Sequence, residues 1–343
     1  LKVITFFNNK GGVGKTTLTV NIASYMALML EKKILVIDAD PQSNTTQMML
    51  DEVSWERIYS DGSTETTLLS YLDPVFLGDS TLDLNHEPFP NTDNRFGVDL
   101  IPGHPRLSLL EDKLSNSWNN CTAGDPGGFR VTNWVKSLTN HFKDDYDYII
   151  FDIGPSLGAL NRSILLNSDA FITPMGCDIF SLMGIQNISE WINSWETIYK
   201  SALNVLREKH PSFDYQKYQV NIDISDNYYF IGYSVQQYIT KVIDGERRGI
   251  ASYDRIKQEI PGKISKYLSG FLPNETSMED CELGDIPHLW SLIPLAQSSN
   301  SPIHQLKKSD GLVGNQYKIM RDYAAVMDSV CKQILKNLGE DVV

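Results

Sequence analysis

Asn9-Lys10-Gly11-Gly12-Val13-Gly14-Lys15-Thr16-Thr17 stands between a run of strand formers, Val3–Phe7, and a helical stretch over Thr17–Leu30. Strand, glycine-rich loop and helix in that order make an anion cradle. Gly11, Gly12 and Gly14 let the backbone turn tightly around Val13 and aim N–H groups at phosphate oxygens, and the helix adds its positive N-terminal end. Lys15 supplies a point charge for the β- and γ-phosphates, Thr16 offers a hydroxyl to Mg²⁺, and Thr17 can donate to the α-phosphate. The general template GxxxxGK[ST] fits loosely, because its first glycine would fall at Asn9, and KGGVGKTT stands in its place.

Working outward, Ile34–Ile37 reads as a strand that ends in Asp38-Ala39-Asp40-Pro41-Gln42. Open α/β sheets place their ligand crevice at the carboxyl ends of strands. Residues two apart on a strand share a face, so Asp38 and Asp40 both reach the phosphates if the extended chain continues that far. Tyr148–Phe151 is an apolar strand closed by Asp152, the pattern in which an acid holds Mg²⁺ directly or through water. Gly154, two residues on, can present a backbone N–H to a γ-phosphate and so register ATP against ADP.

Strands are further expected at Val98–Ile101, Ala170–Thr173, Tyr228–Tyr233 and Leu289–Leu292. Helices are expected at Leu107–Leu114, Val131–Phe142, Ala159–Leu166, Leu182–Val205 and Gln316–Leu338. Runs such as Ile149-Ile150-Phe151 lack polar alternation, as strands covered on both faces do. The alternation predicts an α/β fold, a doubly wound, mostly parallel sheet flanked by helices on both faces, with residues 1–343 as one domain. Pro211–Asp226 and Pro273–Asp285 read as polar loops.

The 343 residues carry 30 Lys+Arg and 43 Asp+Glu, a net charge of -13. That balance argues against a generally basic nucleic-acid binder. It is uneven, however: Asp51–Asp99 holds eleven carboxylates against Arg57 and Arg95 and reads as surface loops with one or two short helices. Lys241–Lys266 reverses the sign, with seven cations against four acids, and reads as a solvated helical face. No apolar run approaches the length of a membrane span. The four cysteines, far apart and without a CxxC pair, suit reduced thiols, and Lys2–Phe7 has no basic leader, so the expected setting is the cytoplasm.

Lys10–Thr17 resembles the deviant Walker A loop of the ParA/MinD family of ATPases, the Soj- and ParA-type partition ATPases in particular. Asp38–Gln42 resembles that family's DxDPQ segment, and Asp152–Ser156 its DxxPS segment. The likeness covers Lys2–Asn44, Val98–Ile192 and Leu289–Leu338, and residues 200–285 match poorly. It implies ATP and Mg²⁺ as cofactors and an ATP-sandwich homodimer. In that dimer Lys10 reaches the partner's phosphates, with the logic of an arginine finger in trans. It implies that Asp40 orients the attacking water and Asp38 supports the magnesium–water network. Gln236 or Gln237, on the strand that would read the base, and Pro294, in the segment over the adenine, are the implied nucleotide contacts.

Neighbouring families fit less well. Iron proteins of the nitrogenase type need cluster cysteines, and Ile153–Leu160 has none. Tyrosine autokinases carry a tyrosine-rich tail, whereas this one ends Gly339-Glu340-Asp341-Val342-Val343. The stripe Ile319, Tyr323, Val326, Val330 and Ile334 reads as a face docked on the sheet, so no membrane helix is expected. A relative using ATP for small-molecule chemistry would need a second substrate constellation, and none is visible. Two functional readings stay open. One is a switch in DNA partitioning or cargo positioning that binds DNA nonspecifically, sits on the nucleoid and is stimulated by a ParB-like partner. The Lys241–Lys266 run with Lys307 and Lys308 would be its cations. The other is a nucleotide-switched protein-interaction ATPase that does not bind DNA and docks a basic partner through its acidic segment.

Overall fold

The computed structural model describes residues 1–224, 229–238, 240–243, 246–249, 251–273 and 276–341. Its strands are β1 (Lys2–Phe6), β2 (Ile34–Asp38), β3 (Asp99–Ile101), β4 (Tyr148–Asp152), β5 (Ala170–Gly176), β6 (Tyr229–Tyr238), β7 (Thr240–Ile243), β8 (Glu246–Gly249) and β9 (Glu282–Pro287). The helices are α1 (Lys15–Leu30), α2 (Asn44–Met49), α3 (Glu52–Tyr59), α4 (Leu68–Leu77), α5 (Leu110–Thr122) and α6 (Pro126–Thr132). They continue with α7 (Trp134–His141), α8 (Ala159–Leu165), α9 (Ile179–Lys209), α10 (Ala251–Tyr267), α11 (Leu292–Ser298) and α12 (Gln316–Asn337).

Seven strands form one sheet in the order β3-β2-β4-β1-β5-β6-β9, and each neighbouring pair is parallel. Alternate residues of each strand serve opposite faces. Ile149 and Phe151 join the core under α4 to α10, while Tyr148 and Ile150 join the core under α1 and α12. This is why the strands read as unbroken apolar runs: both faces are covered. Tyr323, Val330 and Ile334 of α12 are buried on the sheet side, as the stripe predicts. Among the described residues no helix is long and apolar enough to cross a membrane.

The topology positions the site. The chain runs from β1 outward to β2 and β3, returns to β4 between β2 and β1, and then leaves in the other direction through β5. A crevice opens where the order reverses. Register places Asp38 opposite Asp152 and Phe6 opposite Asp152, so the ends of β2, β4 and β1 lie level.

Three expectations are corrected. Leu289–Leu292 is not a strand but the turn into α11; the last strand is β9, within what reads as the end of a polar loop. β9 lies at the sheet edge and is only half buried, so it lacks the apolar run that marks the others. The acidic segment is more than surface: Leu68, Tyr71, Leu72 and Val75 of α4 enter the core, and Arg95 binds Asp310 with two contacts of 2.9 Å. Lys241–Lys266 is not one helical face either, because β7 and β8 form an antiparallel hairpin before α10 starts. The side chains of Lys241, Arg247 and Arg248 lie outside the described residues, and Lys257 pairs with Asp285 at 2.6 Å and Glu282 at 3.3 Å.

Candidate nucleotide site

The loop after β1 enters α1 through Gly14, whose φ of 75° is the left-handed conformation that glycine adopts without strain; Gly12 has a φ of 74°. Over it lies a cleft of about 540 Å³. Its walls are Lys10, Gly11, Gly12, Gly14, Lys15, Thr16 and Thr17 on one side and Asp40, Gln42, Asn44, Gln47 and Met48 on the other, with Pro155 and Gln297. Val13 is buried beneath the loop. The chain therefore brings the phosphate loop, Asp40, Gln42 and Pro155 together, and adds Gln47, Met48 and Gln297, for which the sequence holds no signal.

Two wholly buried carboxylates stand where β2 and β4 end. Asp152 Oδ2 accepts from Thr16 Oγ1 at 2.7 Å and from Thr45 Oγ1 at 2.8 Å, and Lys15 Nζ lies 3.3 Å from its Oδ1. The Lys15 ammonium also donates to the carbonyl of Ile153. Asp38 Oδ2 accepts from the N–H of Thr46 at 2.8 Å and its hydroxyl at 2.7 Å. Burial, reinforced by Asp152 and Asp40, pushes the Asp38 carboxyl up to about 7 against the two Thr46 bonds. A nearby cation would favour its ionised form. Above Asp38 the backbone of Gly103 closes in, and its N–H donates to Thr46 Oγ1 at 2.9 Å. Thr45, Thr46 and Gly103 have no counterpart in the sequence reading; hydroxyls just after an acidic strand end were the available hint.

Asp40 is buried beside this pair, and its Oδ1 accepts from the N–H of Gln42 at 2.9 Å. Gly154 faces it: a Cβ there would sit 3.3 Å from Asp40 Oδ1. Gly154 is buried, and its N–H donates to no described residue. A backbone N–H in a buried residue, with no partner among the described residues, is a place for a ligand oxygen.

Lys10 extends the other way. Its ammonium pairs with Asp178, the residue that caps α9 by accepting from Phe180 N at 3.0 Å and Ser181 N at 3.1 Å. Burial works against an ionised Asp178, but Lys10 and Ser181 outweigh it and hold the carboxyl below its ordinary value. α9 comes close to the loop here because Gly184 has no side chain; a Cβ would meet Asn9 Oδ1 at 2.8 Å.

The implied base contacts are more scattered. Gln236 is buried and donates to Ser234 Oγ at 2.7 Å, with its Oε1 3.5 Å from where a Cβ on Gly14 would lie. It lines a separate cavity of about 340 Å³ with Lys10, Asp178, Tyr253 and His288, and not the main cleft. Pro294 is exposed on α11, and Gln297 of the same helix reaches the main cleft instead. Gln237's side chain lies outside the described residues. Among the described residues no cluster of three or more His, Cys, Asp or Glu could hold a metal by itself. Mg²⁺ takes one or two protein ligands and completes its shell with phosphates and water. Thr16 and Asp152, already in contact, fit that role, with Asp38 behind them.

A family model for the AAA domain matches residues 1–205. The chain is 28% identical over 203 residues to the chromosome partitioning protein ParA of Myxococcus xanthus, an alignment covering 59% of this chain and 60% of that one. It is 29% identical over 190 residues to the sporulation initiation inhibitor protein Soj of Bacillus subtilis, covering 54% and 63%. The chain thus spans under two thirds of the length of both. Among solved structures, protein DIP2308 from Corynebacterium diphtheriae matches with a TM-score of 0.77 and 30% identity, over 98% of this chain and 99% of that one. Sequence likeness to the family model ends at residue 205, and likeness of fold continues beyond it.

Proposed function

Because the chain belongs to the AAA-domain family, as a ParA-type P-loop ATPase, we propose that it hydrolyses ATP with Mg²⁺ and works as a nucleotide switch. The observation that carries this reading is the convergence of Lys15, Thr16 and Asp40 on one cleft floored by the glycine loop, with the buried Asp152 bound to both Lys15 and Thr16. The loop N–H groups and the start of α1 bind the phosphates. Lys15, which rests on Asp152 and Ile153, has a phosphate as its alternative partner. Mg²⁺, held by Thr16 and Asp152 with Asp38 supporting its waters, would neutralise charge on the transferring phosphoryl group. Asp40 orients the attacking water, and the Gly154 N–H meets the γ-phosphate. Asp40→Ala lowers turnover by about 10²-fold and leaves ATP binding in place. Turnover equal to wild type would remove Asp40 from that role.

ATP joins two copies, and Lys10 leaves Asp178 for the partner's phosphates. The dimer acts in the cytoplasm in DNA partitioning or cargo positioning, with hydrolysis stimulated by a ParB-like partner and nonspecific DNA as its track. A second reading, a protein-interaction switch that does not bind DNA, draws on the charges. Lys257 is engaged with Asp285 and Glu282, whereas the acidic segment of residues 51–99 presents exposed carboxylates to a basic partner. Sedimentation with ADP, ATP and a nonhydrolysable analogue, with and without random-sequence DNA at low salt, separates them. A dimer on ATP that binds DNA supports the first reading, and a dimer that ignores DNA supports the second. A monomer under all conditions refutes both.

A further inference from the structure

Two side chains outside every motif fasten the segment that joins Asp152 to α8. Asn161, buried in the first turn of α8, donates its Nδ2 to the carbonyl of Gly154 at 2.7 Å and to that of Ser156 at 2.7 Å. Glu111, on α5, accepts with Oε2 from the N–H groups of Ala159 at 2.6 Å and Leu160 at 3.3 Å. It does the work of an N-cap for α8, whose own cap residue, Gly158, has no side chain to do so. A Cβ at position 158 would lie 2.6 Å from the Glu111 carboxylate, so glycine is what admits it.

The consequence falls on Gly154. The peptide before it has its carbonyl, Ile153 O, bound by Lys15. The peptide after it runs into Pro155, which has no N–H, and its carbonyl is bound by Asn161. Both carbonyls flanking Gly154 are therefore tied, and its N–H, which has no partner among the described residues, is the group left for a ligand. If Lys15 turns to a phosphate, the tie on Ile153 is lost and Asn161 alone holds this residue in place.

We propose that Asn161 is a positioning residue for recognition of the γ-phosphate: it holds Gly154 and Ser156 so that Gly154 stays beside Asp40 with its N–H free for a ligand, and Glu111 anchors the helix from which it reaches. This rests on the ATPase reading. The test compares the full chain with Asn161→Ala, Asn161→Ser and Glu111→Ala, by calorimetric affinity for ADP and ATPγS and by steady-state hydrolysis of ATP. Asn161→Ala should bind ADP within about threefold of wild type and lose about tenfold of the preference for ATPγS. Its kcat should fall about tenfold with KM within about threefold. Asn161→Ser, which keeps one donor, should fall between, and it carries the test if the alanine variant does not fold. Glu111→Ala should move the same quantities less.

An Asn161 variant with wild-type preference and kcat overturns the proposal. So does equal loss of ADP and ATPγS affinity, which marks general damage to the cleft, and so does a wild type that binds both alike. A wild type that binds neither nucleotide overturns the ATPase reading itself, and this proposal with it.

Discussion

Gly103→Ala adds one methyl group where the chain beyond β3 crosses Asp38. Its Cβ would lie 2.9 Å from Asp38 Cγ, 2.9 Å from Ser43 Oγ and 3.0 Å from Asp38 O. Carbon–carbon contacts are comfortable at about 3.5–4.0 Å, so something must move by about 0.6 Å or more. Asp38 resists, being wholly buried at the end of β2, between β3 and β4, and tied twice to Thr46. Lifting Gly103 instead breaks its N–H bond to Thr46 Oγ1. Overpacking at about 1–3 kcal/mol and a lost hydrogen bond at about 1 kcal/mol put the destabilisation near 3 kcal/mol. Gly12→Ala is the contrast. Its φ is 74°, yet nothing lies within 4 Å of an added Cβ, so the cost is backbone strain of about 1 kcal/mol. Urea denaturation without nucleotide reads both. With a slope of about 3 kcal/mol/M, the midpoint falls by about 1 M for Gly103→Ala and by about 0.3 M for Gly12→Ala. Equal shifts, or a Gly103→Ala midpoint within about 0.2 M of wild type, would refute the steric argument.

Lys10→Ala should abolish the ATP-dependent dimer in sedimentation while ADP affinity stays within about threefold; a variant that still dimerises and hydrolyses normally removes the trans role. His304 packs edge-on against Tyr25 with both ring nitrogens buried and unpaired, and burial pushes it down to about 4. The unfolded chain therefore binds a proton more readily between pH 6.5 and about 4, and stability is lost as pH falls through that window, by about 3 kcal/mol at its foot. His304→Phe should flatten that part of the pH–stability curve, and a slope unchanged from wild type would show that other groups cause it.

The chemistry of the loop was legible because it is local. Glycines, two lysines and two threonines in nine consecutive residues carry their own geometry, and apolar runs closed by Asp38 and Asp152 announce strand ends without reference to the rest of the chain. The edge strand β9 escaped notice because half burial leaves no apolar run, while Leu289 and Leu292 are buried in the approach to α11 rather than in a strand. The acidic count over residues 51–99 described charge correctly and missed the buried face of α4, since a tally of carboxylates says nothing of the leucines between them.

Within the sequence itself lie the phosphate cradle, the acids that accompany it and a parallel α/β sheet, all set by short-range spacing and periodicity. Which groups meet was decided by the tertiary structure. The order β2-β4-β1 brings Asp38 level with Asp152, and β5 beside β1 delivers Asp178 to Lys10 across 168 residues of chain. Gly103, Asn161 and Glu111 acquire their meaning the same way. A glycine, an amide and a carboxylate are unremarkable in a row of letters, and become specific only when folding buries them against a backbone group that has one partner to take.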